Sequence, residues 1–318
     1  MQRLTSLSGR RLKEERGATA VIFALLLVPL LGFAAIAVDI GSLYADRAQL
    51  QVAADAAALA VAQDCARGNC GDMLATARSL VLANDTHGNT GQPVLSSNPL
   101  SVTVAGSTPQ KHWFAPAIGY DSTRVSATAT VAWGGPSQGT AVLPLTFSWC
   151  SFSAQTHGGL PSGTTVQTIY LTKTAPDSCT GPSGNMIPGG FGYLQSDGNT
   201  CKTTSARNGR SISSTGNTPP SGCQPADFSG WLGHTVLLPI FDDSGSTGTN
   251  GWYHVYGYAA FRLTGYFFGG QYGSSPKPCN GNARCVSGYF TRFVELSDAW
   301  NYSPDAPDMG SSILRLIR

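Results

Sequence analysis

RGATAVIFALLLVPLLGFAAIAVD runs from Arg16 to Asp39, and its twenty central residues, Thr19 to Val38, carry no charge. Twenty helical residues rise about 30 Å, the thickness of the hydrocarbon core of a bilayer. Pro29 and Gly32 lie inside the stretch, where a membrane helix tolerates them and a soluble one would be weakened. Upstream stand Arg3, Arg10, Arg11, Lys13 and Arg16 against Glu14 and Glu15, and the first downstream charge is Asp39. The positive-inside rule therefore expects residues 1–18 in the cytoplasm, 19–38 as a single transmembrane helix and the remaining chain outside the cytoplasm.

A cleaved signal peptide shares the basic flank, and Ala35 and Ala37 offer the small residues of a cleavage site. A retained anchor is favoured because the helical pattern continues past Asp39. Ile40, Leu43, Leu50, Ala54, Ala57 and Val61 follow a three-four spacing that Arg47 interrupts. A helix from Thr19 to Asp64 would be about 69 Å long, more than a globular helix needs. Residues 39–66 read as a stalk growing out of the membrane. Its run of Ala53, Ala54, Ala56, Ala57, Ala58 and Ala60 suits a stable helix. The same residues permit close packing on another helix, which leaves self-association through the stalk open.

Composition bounds the remainder. The chain has 318 residues, a formal charge of +2 and only 12% charged residues, so no electrostatic case exists for binding nucleic acid. Eight cysteines, all beyond the apolar stretch, point to an oxidising compartment.

The segment from Gly17 to Ala62 joins the apolar stretch to an Asp-x-Gly element at Asp39 and Gly41. Tyr44, Arg47, Gln49 to Gln51 and the Ala-Asp-Ala-Ala-Ala-Leu-Ala run at Ala54 to Ala60 follow, with Asp55 as that run's acid. It closely resembles the N-terminus of TadG-like proteins, of the TadE/TadG family, in the Flp (Tad) pilus-assembly system. The resemblance implies a bacterial membrane protein of pilus assembly or related secretion, partnered by pilus-assembly membrane components or pseudopilins. The pattern from Leu232 to Leu296 resembles exported regions of actinobacterial relatives. Pilins and pseudopilins of the system carry a glycine followed by an apolar helix with glutamate at its fifth position. Here Gly17 is followed at that position by Ile22, which offers a neighbouring subunit's amine no charge partner. The departure implies an anchored accessory and not a shaft subunit.

Beyond the stalk, Asp72 to Asn84 reads as a short helix, with Cys65 and Cys70 placed to clamp the break before it. Alternation at Leu100 to Gly106 and Arg124 to Trp133 predicts two paired strands, closed by a turn at Gly134 to Gly139. Residues 67–139 are thus expected to form a small α+β unit, and residues 140–318 a Gly/Ser-rich, β-rich exported domain. The whole chain is α+β. Cys150, Cys179, Cys201 and Cys223 allow three pairings, Cys279 and Cys285 close their own loop, and the polar run Gly198 to Gly222 is either mobile or pinned by its flanking cysteines. The tail from Ser311 reads as a final strand.

Little here points to bond chemistry. No Cys-x-x-Cys pair and no His-Glu-x-x-His helix occurs, which disfavours structural zinc and zinc hydrolysis. The chain reads as non-enzymatic and without a cofactor. Asp242, Ser244 and Ser246 resemble a metal-dependent adhesion motif, but few residues follow them and Pro239 interrupts the strand before it, so a hairpin loop is the preferred reading and no metal is expected. In the aromatic run from Trp252 to Phe268 one alternating set of rings would be core and the other could face a partner, with structural packing the preferred reading. That run motivates the alternative to a pilus-assembly accessory: an exported adhesin or cell-wall-binding module.

Overall fold

A computed structural model describes residues 11–246 and 250–317. The basic residues Arg3 and Arg10 and the centre of the loop after Ser246 lie outside the described residues. The apolar stretch and the stalk form one uninterrupted helix, α1, Arg11–Ala66, with Pro29 inside it. A disulfide between Cys65 and Cys70 spans the break, and α2, Met73–Asn84, follows.

Two compact units emerge from the chain's contacts. One holds α1 up to Ala57, Leu74–Gln92 and Val104–Ala129. Its strands are the outer parts of β1, Leu100–Lys111, and β2, Ser122–Ala141, where Val125, Ala127 and Ala129 alternate with exposed Ser126 and Thr128. That period of two presents one apolar face, and Leu50 of α1 is fully buried against Val125 and Ala127. Gln51 Nε2 donates to the Thr128 carbonyl at 3.2 Å, and Gln49 Nε2 to the Asn84 carbonyl at 2.5 Å, so polar side chains on α1 also bind the neighbouring backbone.

The other unit holds Ala58–Met73, Pro93–Thr103 and everything from Thr130 onward. Here the residues expected as a turn, Gly134 to Gly139, are strand: β2 runs straight through them. Glycine is needed there for proximity. A Cβ on Gly134 would meet the Ser303 carbonyl at 2.8 Å, and one on Gly139 would overlap the Trp300 ring. The run Gly135 to Gly139 also spells Gly-x-Ser-x-Gly, but Ser137 sits mid-strand and lacks the strand-to-helix elbow that exposes a nucleophile.

The remaining long strands are β3, Leu145–Ser148; β4, Thr235–Gly245; β5, Trp252–Gly269; β6, Cys285–Thr291; β7, Phe293–Leu296; β8, Trp300–Ser303; and β9, Ser311–Ile317. One eight-stranded sheet runs Asn89–Thr90, β1, β2, β9, β7, with Val94–Ser97 on β1 and both β8 and Thr203–Ala206 on β2. The tail is therefore a strand, antiparallel to β2 and parallel to β7. A second eight-stranded sheet runs Gln167–Tyr170, β6, β5, β4, β3, Phe191–Tyr193, with Arg210–Ile212 and Tyr272–Gly273 paired to β5. Pro239 does not end β4. It pairs with Tyr258 on β5, the parallel ladder to β3 begins only at Ile240, and the Thr146 hydroxyl donates to the Pro239 carbonyl at 3.0 Å.

Aromatic side chains fill the core of this unit. The ring centroids of Phe147, Phe261 and Phe290 lie within 5.4 Å of one another in tilted and edge-to-face contacts, and Phe191, Tyr193, Phe228, Tyr266 and Phe268 extend the cluster. Burial drives the Tyr193 hydroxyl well above the ordinary phenol value. It pushes Tyr258 up to about 12 although Ser205 hydrogen-bonds to it at 3.0 Å. Disulfides link Cys150 to Cys179, Cys201 to Cys223 and Cys279 to Cys285, which selects one of the three pairings open for the central four. Cys201–Cys223 closes the polar run around two short strands, Thr203–Ala206 and Arg210–Ile212.

Candidate functional site

The anchor and the helix that leaves it make up the candidate site. From Val21 to Val38 every large apolar side chain of α1 is exposed, and among the described residues this is the one helix long and apolar enough to cross a membrane. Thr19, Pro29, Gly32 and Val38 all belong to this uncovered stretch, and a Cβ on Gly32 would meet nothing within 4 Å.

Burial begins at Asp39, one residue beyond the span, which is 7% exposed. Its Oδ1 accepts from the N–H of Trp113 at 2.8 Å and its Oδ2 from that of Ala115 at 2.8 Å, while the N–H of Phe114 lies 3.3 Å and 3.2 Å from the two oxygens. These donors stand at the start of a 3₁₀ turn, Ala115–Ile118, that no side chain of its own caps. The first N–H groups of a helical turn have no partner within it, and a carboxylate from α1 takes that role. Burial pushes the Asp39 carboxyl upward, but the three N–H donors and nearby His112 outweigh it and hold it below the usual carboxylate value.

The expected stalk residues divide between two faces. Leu50, Ala54, Ala57 and Val61 are fully buried within the chain, as are Ala53, Ala58 and Ala62, so the close approach that alanine permits is used intramolecularly. Asp55 is half-buried and accepts from Gln51 Nε2 at 2.8 Å. Gly41, Tyr44 and Arg47 face outward. Ile40, Tyr44, Ala48 and Val52 are all exposed at four-residue intervals, an apolar ridge continuous with the span. Beside it, Ile40, Leu43, Tyr44 and Arg47 line a groove of about 360 Å³ with Thr123 to Ser126.

This arrangement carries the similarity to known proteins. Residues 17–64 match the family model described as putative Flp pilus-assembly TadE/G-like. The N-terminal segment is similar to that family. The match ends at Asp64 near the end of α1, so it covers the span, Asp39 and most of the stalk, while the N–H donors that Asp39 binds lie outside it. No match to a curated protein or to a solved structure is found.

The other sites read from the sequence lie apart from this one. Asp242 is a bulge residue in β4: Phe241 pairs with Val255 and Asp243 with His254, leaving Asp242 between them. Its Oδ1 lies 2.6 Å from His254 Nδ1 and its carbonyl accepts from Ser183 Oγ at 2.6 Å. One carboxylate oxygen is thus engaged by histidine; the expected hairpin loop is shorter than read from the sequence, since Ser244 is still in β4, paired with Tyr253, and only Ser246 lies in the loop that joins β4 to β5. Among the described residues no group of three or more His, Cys, Asp or Glu is placed to hold a metal. In the aromatic run of β5, Tyr258, Phe261, Tyr266, Phe267 and Phe268 are buried, Trp252, Tyr253 and Tyr256 are half-buried, and Arg262 and Thr264 are exposed. What sequence reasoning missed is the partner of Asp39. The signal was present as HWFAPAIGY, His112 to Tyr120, an apolar run with Pro and Gly between two alternating segments.

Proposed function

We propose that this chain is a membrane-tethered, non-catalytic accessory of Flp-type pilus assembly, its N-terminus in the cytoplasm and its disulfide-bonded body outside. The carrying observation is that the TadE/G-like match covers the apolar helix and its extension together, with one face of the extension buried within the chain. A helix built this way transmits position: the hairpin arms that carry Val125 and Ala127 cannot leave the helix without unpacking Leu50. The charge asymmetry around Thr19 to Val38 supports the orientation. The outward ridge of Ile40, Tyr44, Ala48 and Val52 is the surface on which a pseudopilin helix or another assembly component would pack, since the opposite face is already filled.

The reading is tested by placing a photo-crosslinking amino acid at Tyr44 in cells that make the pilus, with Ala54 as the buried control. Capture of a pilus-assembly membrane protein at Tyr44 and not at Ala54, with loss of pili when the chain is deleted, is the expected result. Normal piliation in the deletion strain would defeat the reading.

A further inference from the structure

The latch on Asp39 holds an unusual object. The tip joining β1 to β2 carries Trp113, Phe114, Ile118 and Tyr120, which are 74%, 52%, 75% and 68% exposed. From Trp113 to Tyr120 the tip has no charged residue, and exposed Lys111, Asp121 and Arg124 flank it. Isolated surface apolar residues need no explanation, but four large ones within eight positions form a patch that water disfavours.

Its position supplies the explanation. Three successive N–H groups of the tip bind the side chain of Asp39, one residue beyond the uncharged span. A span of about 30 Å fills the hydrocarbon core, so a group held on the next residue lies at the level of the lipid headgroups. Tryptophan and tyrosine concentrate at that level in membrane proteins, their rings apolar and their N–H or O–H groups able to reach water.

The backbone of the tip is also prepared for a medium poor in water. The N–H groups of Trp113, Phe114 and Ala115 are taken by Asp39. Those of Ala117, Gly119 and Tyr120 bond the carbonyls of Phe114, Pro116 and Ala115, each at 3.1 Å. Pro116 has no N–H to satisfy, and Gly119 turns the chain at φ 91°. A loop with these six donors internally paired can enter the interface without the cost of stripping water from them.

We infer that the His112 to Tyr120 tip is a second membrane contact, a shallow wedge of Trp113, Phe114, Ile118 and Tyr120 seated in the outer-facing leaflet beside the anchor. Asp39 is then a positioning residue that fixes the depth of the wedge relative to the span. Together the helix and the wedge hold the neighbouring hairpin at two points, which resists the rotation about its axis that a lone helix allows. The inference rests on the reading of α1 as a retained anchor.

The test uses the full-length chain in lipid nanodiscs, with acyl chains brominated near the headgroup in one sample and unbrominated in another. Subtracting the fluorescence of Trp113→Phe from that of the unmodified chain isolates the Trp113 emission. The expected result is a blue-shifted Trp113 component that loses most of its intensity in brominated lipid. A Phe23→Trp reporter within the span separates the two failures. If the Phe23→Trp emission is quenched while the Trp113 component stays red-shifted and bright, the wedge is overturned and the anchor stands. A Trp113 component that is blue-shifted but unquenched means that a protein surface or a second copy covers the tip, and also overturns the proposal. If neither emission is quenched, both the anchor and the wedge fall.

Discussion

Leu50 offers a quantitative test of how the stalk is held. Truncation to alanine removes three carbons from a fully buried site, about 2.4 kcal/mol at ~0.8 per carbon. The void left between Val125 and Ala127 adds about 1 kcal/mol, because the surrounding side chains are small and on a strand that cannot collapse onto the helix. Leu50→Ala should therefore cost about 3 kcal/mol of local stability in the hairpin arms. The structure also supplies a rescue. A Cβ on Gly106 would lie 3.1 Å from Leu50 Cδ1, so Gly106→Ala alone is crowded and should cost about 1 kcal/mol. In the double variant the new methyl enters the space that Leu50 vacated. The pair should then cost about 2 kcal/mol and not the sum of about 4, a coupling measurable by a double-mutant cycle. Native-state hydrogen exchange on the amides of Val104–Ala129, with the chain in nanodiscs, reads the local opening free energy directly. Strictly additive effects, or a Leu50→Ala cost below about 1 kcal/mol, would refute the reasoning that these residues share one packed site.

Three further expectations follow from particular contacts. The folded Asp39 carboxyl lies below its ordinary value, so its contribution is present above about pH 4 and is lost as pH falls through the lowered value. The amide shifts of Trp113, Phe114 and Ala115 should thus hold steady from neutral pH to about pH 4 and move together below it, and Asp39→Asn should abolish the transition. Replacing Cys201 and Cys223 by serine opens a loop with a sequence separation of 22 and should cost about 3 kcal/mol, seen as a lowered unfolding midpoint and faster proteolysis within 203–222. Gly139→Val drives a branched side chain into the Trp300 ring and should cost about 3 kcal/mol, whereas an exposed neighbour, Gln138→Val, should change the midpoint little.

The parts legible in the sequence were those governed by local pattern. An uncharged run of bilayer length, a continuing three-four repeat and two alternating segments each announce their structure within a few turns, and α1, α2, β1 and β2 follow from them. What was not legible depends on residues distant in sequence. Gly134 to Gly139 looks like a turn because glycine usually marks one, yet these glycines serve a close crossing by Trp300 and Ser303 more than 160 positions later. Alternation left open which β5 aromatics are covered, because that depends on strands distant in sequence; Tyr258, Phe261, Tyr266, Phe267 and Phe268 are buried, while Trp252, Tyr253 and Tyr256 are half-buried. Of the candidate site, the anchor and Asp39 were visible from charge. The Asp39 partner, 74 residues away, was not, because a backbone N–H leaves no mark on sequence composition.

The intact mass of the chain recovered from purified cell membranes tests the retained anchor most directly. The account predicts a chain that still contains Thr19 to Val38. A mature chain beginning after Ala37 would remove the span, free the Asp39 latch from the bilayer and contradict the account.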